Sequence, residues 1–323
     1  MAMIPHSNEN FYELAWQARS QIIDGIINDG EQSLYRVLKL FEQFEAKKIT
    51  RFEMHVEGQA ENGSHPGGSF TDQRKKFYTG RGALFDRNLS VEETGPERYK
   101  IRKPIVEDGV QRDVLRYSDA VTVPARWVAD MAADGYDAIV ELGSGYGRNL
   151  FEIYFAGGPE NTRYIAAEYT NSGRKLCEKL ADLEPGLPME TVFLDHKQPD
   201  FSFLSGMKRV LVFSCHSIEQ VAILPDDYFK KLVAGVPFIH GIHFEPFGFQ
   251  MGADSDITKA HDQYIRGRGY NLNLYPCLQA ALEQKIIDDL WTVKEAMTLE
   301  AINPTSIAVW TATGRPISET KEA

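Results

Sequence analysis

The chain has 323 residues, 43% of them of apolar type, enough to bury one large core or a catalytic unit with an accessory segment. Its formal net charge of −11 repels phosphate backbones and anionic lipid, and the short basic run Arg74-Lys75-Lys76 does not reverse this locally, which argues against nucleic acid and membrane partners. Three scattered cysteines, Cys177, Cys215 and Cys277, suit neither a disulfide framework nor a thiolate zinc site; with no apolar run near about 18 residues and no basic leader, a soluble cytoplasmic protein is expected.

Phe11, Leu14, Ala15, Ala18 and Ile22 recur at helical spacing, as do Leu34, Val37, Leu38, Phe41 and Phe44, so two amphipathic helices are predicted. Their apolar stripes are either core or a surface on which two copies meet as a homodimer. Residues 57–70 combine Gly58, Gly63, Pro66, Gly67 and Gly68 with little apolar content and read as a mobile loop of the kind enzymes use as lids. Residues 81–116 carry a mixed pattern that fixes no element. The organisation changes near residue 120, giving a helical N-terminal accessory region, 1–120, and a second unit, 121–323. Thr122 and Pro124 open the next helix, with Trp127, Val128 and Met131.

An apolar run over 137–142 ends in Glu141-Leu142-Gly143-Ser144-Gly145-Tyr146-Gly147-Arg148-Asn149, where an amphipathic helical pattern begins. A sharp strand-to-helix turn needs unusual backbone angles, and a ligand approaches the backbone closely only where there is no Cβ. The alternate glycines supply both. The spacing is G-x-G-x-G, and Arg148 stands where a dinucleotide fingerprint has its third glycine. A second run, 163–168, ends at Glu168, a carboxylate of the type that accepts two hydrogen bonds from a ribose diol. Thr170 or Asn171 then caps a helix with Leu176, Leu180 and Leu183 on one face. A third run, 190–194, ends at Asp195-His196, and a fourth, 209–214, at Cys215-His216-Ser217-Ile218-Glu219. Strands and helices in this order predict an α/β fold with a doubly wound sheet.

Pro225-Asp226-Asp227 predicts the first turn of a crossover helix carrying Phe229, Leu232 and Val233, stopped by Gly235. Residues 236–244 form a fifth strand, and 248–274, with Gly252, Gly267 and Gly269, is less regular. A helix over 276–287 precedes two β-rich runs, 296–302 and 306–313, around Asn303-Pro304-Thr305.

With Glu141, Gly143, Gly145 and Gly147 matching its first motif, the chain resembles the class I S-adenosylmethionine (SAM) dependent methyltransferases over about residues 120 to 313. The resemblance implies a Rossmann-like methyltransferase sheet of seven strands ending in an antiparallel hairpin, with SAM as cofactor. It makes Glu168 the ribose ligand and Asp195 the contact for the adenine amino group, with His196 beside it. It places Ser214 and the residues after it toward the transferred methyl group. Relatives that methylate exocyclic base nitrogens carry Asn/Asp-Pro-Pro-aromatic after the fourth strand. Ser214-Cys215-His216-Ser217 departs from that pattern, which points to a small-molecule acceptor.

Methyl transfer from a sulfonium is an in-line displacement in which the protein aligns the reactants and, for a hydroxyl, removes a proton. Five of the eight histidines fall between His196 and His261. His216 is the first candidate for general base, with Ser217, Glu219 and Gln220 around it; His243 with Glu245 is the second. His240 reads as a core histidine. A metal site is not assigned: His216, Glu219, His243, Glu245 and His261 would converge only through tertiary proximity, and no pair has the spacing of two ligands on one helical face. The expected activity is SAM-dependent methylation of a small molecule, oxygen favoured over nitrogen because a hydroxyl needs the base more. An NAD-dependent oxidoreductase, sharing the acidic residue after the second strand, and a non-catalytic SAM-binding protein remain as alternatives.

Overall fold

The computed structural model describes residues 8–46, 64–65, 68–69, 91–95, 98–107, 110–117, 123–252, 254–297 and 303–314. Helices α1 (Asn8–Asn28) and α2 (Leu34–Ala46) open the chain. Leu14, Ala15, Ala18, Ile23 and Ile26 on α1 and Leu34, Val37, Leu38 and Phe41 on α2 are buried. The inner residues of both stripes join one apolar cluster with the sheet and its helices, so these stripes are core. Each large side chain fully buried in this way contributes about 1.5–3 kcal/mol relative to exposure.

The lid expected at 57–70 lies outside the described residues, apart from β1 (Ser64–His65), which pairs antiparallel with β2 (Gly68–Ser69). The unassigned stretch 81–116 contains most of an antiparallel three-stranded sheet, β3 (Val91–Gly95), β4 (Arg98–Glu107) and β5 (Val110–Tyr117). Tyr99, Ile101 and Ile105 alternate with polar residues along β4, but Lys103-Pro104 interrupts the pattern. The helical N-terminal region thus carries this small sheet beside its two helices.

The second unit runs α3 (Val123–Ala132), β6 (Ala138–Leu142), α4 (Arg148–Phe155), β7 (Arg163–Glu168), α5 (Asn171–Ala181), β8 (Met189–Phe193), β9 (Arg209–Cys215), α6 (Tyr228–Val233), β10 (Phe238–Glu245), α7 (Asp256–Arg268), α8 (Leu274–Glu283), β11 (Asp289–Met297), β12 (Thr305–Thr313). Its seven-stranded sheet has the order β8-β7-β6-β9-β10-β12-β11, with β8 to β10 parallel and β12 antiparallel to both β10 and β11. Numbered from β6, this is 3-2-1-4-5-7-6, the Rossmann-like order of the class I methyltransferase fold. Alternate residues of each central strand enter opposite layers. Ile139 and Phe213 meet the side of α3, α4 and α5, while Val140 and Val212 meet the side of α6 and α8. The order reverses between β6 and β9, so the crevice above their carboxyl ends is the switch point where this architecture binds ligands.

Three elements depart from the sequence reading. The crossover helix starts at Tyr228, because Pro225 to Asp227 form a preceding turn in which Pro225 O accepts Tyr228 N at 3.0 Å. The stretch 248–274 contains the 13-residue α7, capped by Ser255 Oγ accepting from Thr258 N and ended by Gly269 at φ 67°. β11 starts at Asp289, ahead of the strand expected at 296–302, of which 298–302 lie outside the described residues; its register shifts between Val293 and Met297, with Glu295 at φ 49°, and this irregularity hides the alternation. Among the described residues no helix is long and apolar enough to cross a membrane.

Candidate active site

The turn leaving β6 has φ of 79°, 57° and 80° at Gly143, Gly145 and Gly147, the left-handed region that favours glycine. It is stitched to β7 by Gly143 N and Ser144 N, which both donate to Ala167 O at 2.7 and 3.1 Å. There is no room for side chains either. A Cβ on Gly143 would meet Ser217 Cβ, one on Gly145 would lie 2.7 Å from Trp16 Cζ2, and one on Gly147 would lie 2.6 Å from Cys177 Sγ.

Glu168, at the end of β7, is buried beside this turn. Its Oε2 accepts from Gly145 N at 2.8 Å, and its Oε1 accepts from Thr170 N at 2.8 Å and Thr170 Oγ1 at 2.5 Å. Burial raises its pKa, against those hydrogen bonds and the Arg174 charge. Asp195 lies just past β8, with Oδ1 accepting from Lys197 N at 2.8 Å. The next residue, His196, is buried, its Nδ1 2.8 Å from Tyr228 Oη; burial pushes its pKa down to about 4, so the ring is neutral at pH 7. His196 Nε2 lies 3.2 Å from the place a Gly143 Cβ would take, which brings Gly143, His196 and Ser217 together.

Around the glycine turn, Glu141 Oε2, Ser144 Oγ and His196 Nε2 are buried with no hydrogen-bond partner among the described residues, as is Trp16 Nε1. Glu141 uses only Oε1, which accepts from Asn149 Nδ2 at 2.5 Å, and burial raises its pKa well above the usual carboxylate range. An unsatisfied buried polar group costs about 1–3 kcal/mol, so the set fits a polar ligand seated on the turn.

The opposite wall is the turn after β9. His216 takes φ 51°, a conformation uncommon for any residue but glycine, while its N donates to Phe244 O at 3.0 Å. Buried Glu245, at the end of β10, anchors this turn: Oε1 accepts from Ser217 N and Ile218 N at 3.0 and 3.1 Å, and Oε2 from Glu219 N at 3.2 Å. Ser217 Oγ donates to Leu142 O, tying the turn to β6. The His216 imidazole then sits between two partners, Thr305 Oγ1 at 2.6 Å from Nε2 and Glu219 Oε2 at 3.4 Å from Nδ1. Glu219 also accepts from Gln220 Nε2 at 2.9 Å and Asn303 Nδ2 at 3.0 Å.

His243 is placed differently. It is wholly buried, and Trp310 Nε1 donates to its Nε2 at 3.0 Å; because an indole only donates, the ring proton is on Nδ1 and is donated to Ser214 Oγ at 2.9 Å. Burial pushes its pKa down to about 3. Ser214 is thus turned into the layer of Trp310. His240 Nδ1 is 3.0 Å from Tyr136 Oη, and His261 lies buried with its ring edge-on to Phe249. Among the described residues no three His, Cys, Asp or Glu side chains are grouped to hold a metal ion.

Sequence reasoning missed Trp16, Asn303 and Thr305 at this site. Asn303-Pro304-Thr305 carried a turn signal that says nothing of its side chains, and Trp16 stands outside the apolar stripe of α1.

No protein-family model matches the chain, and no curated protein matches it. Among solved structures, the N-terminal domain of EvdMO1 with SAH bound is similar over 75% of this chain and 97% of that one, at 15% identity and a TM-score of 0.40. The O-methyltransferase TomG from Streptomyces achromogenes, involved in tomaymycin synthesis and solved with SAM, matches over 60% of this chain and 82% of its own, at 14% identity and a TM-score of 0.38. The CcbJ methyltransferase from Streptomyces caelestis matches over 60% and 91%, at 15% identity and a TM-score of 0.38. Likenesses this distant carry no functional argument.

Proposed function

We propose that this protein is a SAM-dependent methyltransferase acting on a small-molecule hydroxyl in the cytoplasm, with residues 121–323 as the SAM-binding unit and 1–120 as an accessory region. The observation that carries this is the set of partnerless buried polar atoms, Glu141 Oε2, Ser144 Oγ and His196 Nε2, around a left-handed glycine turn at the switch point of the sheet. Gly143, Gly145 and Gly147 set the left-handed turn on which the cofactor would rest, Glu168 keeps one acceptor site on Oε2 for a ribose hydroxyl, and Asp195 stands at the next strand end for the adenine amino group. Bound there, SAM supplies a methyl group on a sulfonium, activated for in-line displacement.

The residues of the β9 turn do the rest. Glu219 Oε2, 3.4 Å from His216 Nδ1, favours the ring proton on that nitrogen, which leaves Nε2 as the basic one. An acceptor hydroxyl would take the place of Thr305 at Nε2 and give up its proton there. Glu245 holds the turn in register, and His243, with both nitrogens engaged, is a strut between Trp310 and Ser214 rather than a second base. Oxygen is favoured over an amine because a hydroxyl must lose its proton to become a competent nucleophile at neutral pH.

Mass spectrometry of ligand released from the purified protein tests the cofactor. SAM or S-adenosylhomocysteine (SAH) is the expected finding. A nicotinamide dinucleotide in its place would make the protein an oxidoreductase, and its Glu168 the ligand of a different ribose.

A further inference from the structure

Helix α1 crosses the start of α5. Glu13 accepts from Ser172 N at 3.1 and 3.2 Å through its two oxygens, and Ser172 Oγ donates to Glu13 O at 2.6 Å. Further along the same helix, Lys179 of α5 pairs with Asp24 at 2.6 Å. Between these anchors Trp16 lies over the glycine turn, with Cζ2 and Cε2 at 2.7 and 3.3 Å from the place of a Gly145 Cβ. Only glycine lets the ring come so near. Tyr146 and Tyr12 flank the indole at centroid distances of 5.4 and 6.0 Å, and the Arg19 guanidinium lies 4.6 Å from its centroid.

The indole Nε1 is bonded to Cε2, which with Cζ2 and Cη2 is one of the three ring atoms nearest the place of a Gly145 Cβ. That nitrogen is buried and has no hydrogen-bond partner among the described residues. An indole N–H can only donate, and the Arg19 guanidinium lies over the same ring. The anionic group of SAM is the carboxylate of its aminoacyl tail. We infer that Trp16 is a cofactor-binding residue contributed by the accessory helix, its indole N–H donating to that carboxylate. This rests on the SAM reading above. It makes the accessory region part of the cofactor site and gives the left-handed Gly145 a second purpose, that of admitting the tryptophan.

The test is calorimetric titration of the full chain, wild type and Trp16→Phe, with SAM and with decarboxylated SAM, which lacks only the carboxylate. Phenylalanine keeps an aromatic ring against Gly145 and removes the N–H. Wild type is expected to bind SAM about ten- to a hundredfold more tightly than the decarboxylated compound, the range for a hydrogen bond to a charged group, and Trp16→Phe to lose most of that preference. Equal affinity of wild type for the two compounds overturns the inference without any variant. So does an undiminished preference in Trp16→Phe. If wild type binds neither compound, it is the SAM reading that fails.

Discussion

The imidazole of His216 and the carboxylate of Glu219 face each other within one turn, Nδ1 to Oε2 at 3.4 Å, on a loop whose amides at Ser217, Ile218 and Glu219 all end on Glu245. The proposed base and the acid beside it are thereby fixed from a neighbouring strand, so the role of each is open to separate measurement.

Replacing His216 by Ala removes the base and leaves the glycine turn intact. Turnover on a hydroxyl acceptor should fall by about 10²- to 10⁴-fold with SAM affinity unchanged in calorimetry. Unchanged turnover would take His216 out of the mechanism and favour a protein that binds SAM without catalysis at this residue.

Glu245→Gln puts an amide N–H toward backbone donors that now meet a carboxylate. We expect a loss of about 1–3 kcal/mol in denaturant unfolding and a lower kcat, with the SAM dissociation constant little changed. A variant as active and as stable as wild type would show that the loop holds its shape without this anchor.

Gly143→Ala sets a Cβ against Ser217 Cβ at a left-handed φ of 79°, and Ser217 cannot retreat while its N donates to Glu245. Weaker SAM binding by tenfold or more, roughly the effect of 1.4 kcal/mol, is the expected result in titration. Gly206→Ala, with nothing within 4 Å of its Cβ at a φ of 82°, controls for backbone strain alone and should leave SAM affinity as it is.

The strut at His243 has a pH signature. Its folded pKa of about 3, like that of about 4 at His196, lies below the unfolded value near 6.5, so the folded chain binds fewer protons. This contribution to stability is fully present above pH about 6.5 and is lost as the pH falls toward 4, by up to about 1.4 kcal/mol per unit for each group. Glu141, Glu168 and Glu245, raised by burial, act in the opposite sense, since their protonation favours the folded chain. The histidine part is therefore read as a difference. Wild type should lose more stability than His243→Gln between pH 6.5 and 4.5 in denaturant melts; parallel curves would contradict a neutral, buried His243.

Much of this was legible in the sequence because parallel strands are buried on both faces and read as unbroken apolar runs. The ends at Leu142, Glu168 and Ser214 therefore announced themselves, whereas β8, at the sheet edge, is half-buried with Phe193 exposed. What pairing does to side chains was not legible. His243 falls near a strand end, yet the pleat turns it into the Trp310 layer, and one residue of phase decides between base and strut. The irregularity at Glu295 and the interruption at Lys103-Pro104 obscured β11 and β4 by breaking a period of two. Trp16 and Thr305 reach the site across the fold, Thr305 from 89 positions beyond His216, and no local pattern signals such a contact.

The most direct test titrates the purified full chain with SAM and, separately, with NAD. Saturable one-to-one binding of SAM with no heat from NAD is the predicted outcome; tight binding of NAD with none of SAM would contradict the assignment of the glycine turn and its orphaned polar atoms to an adenosyl sulfonium.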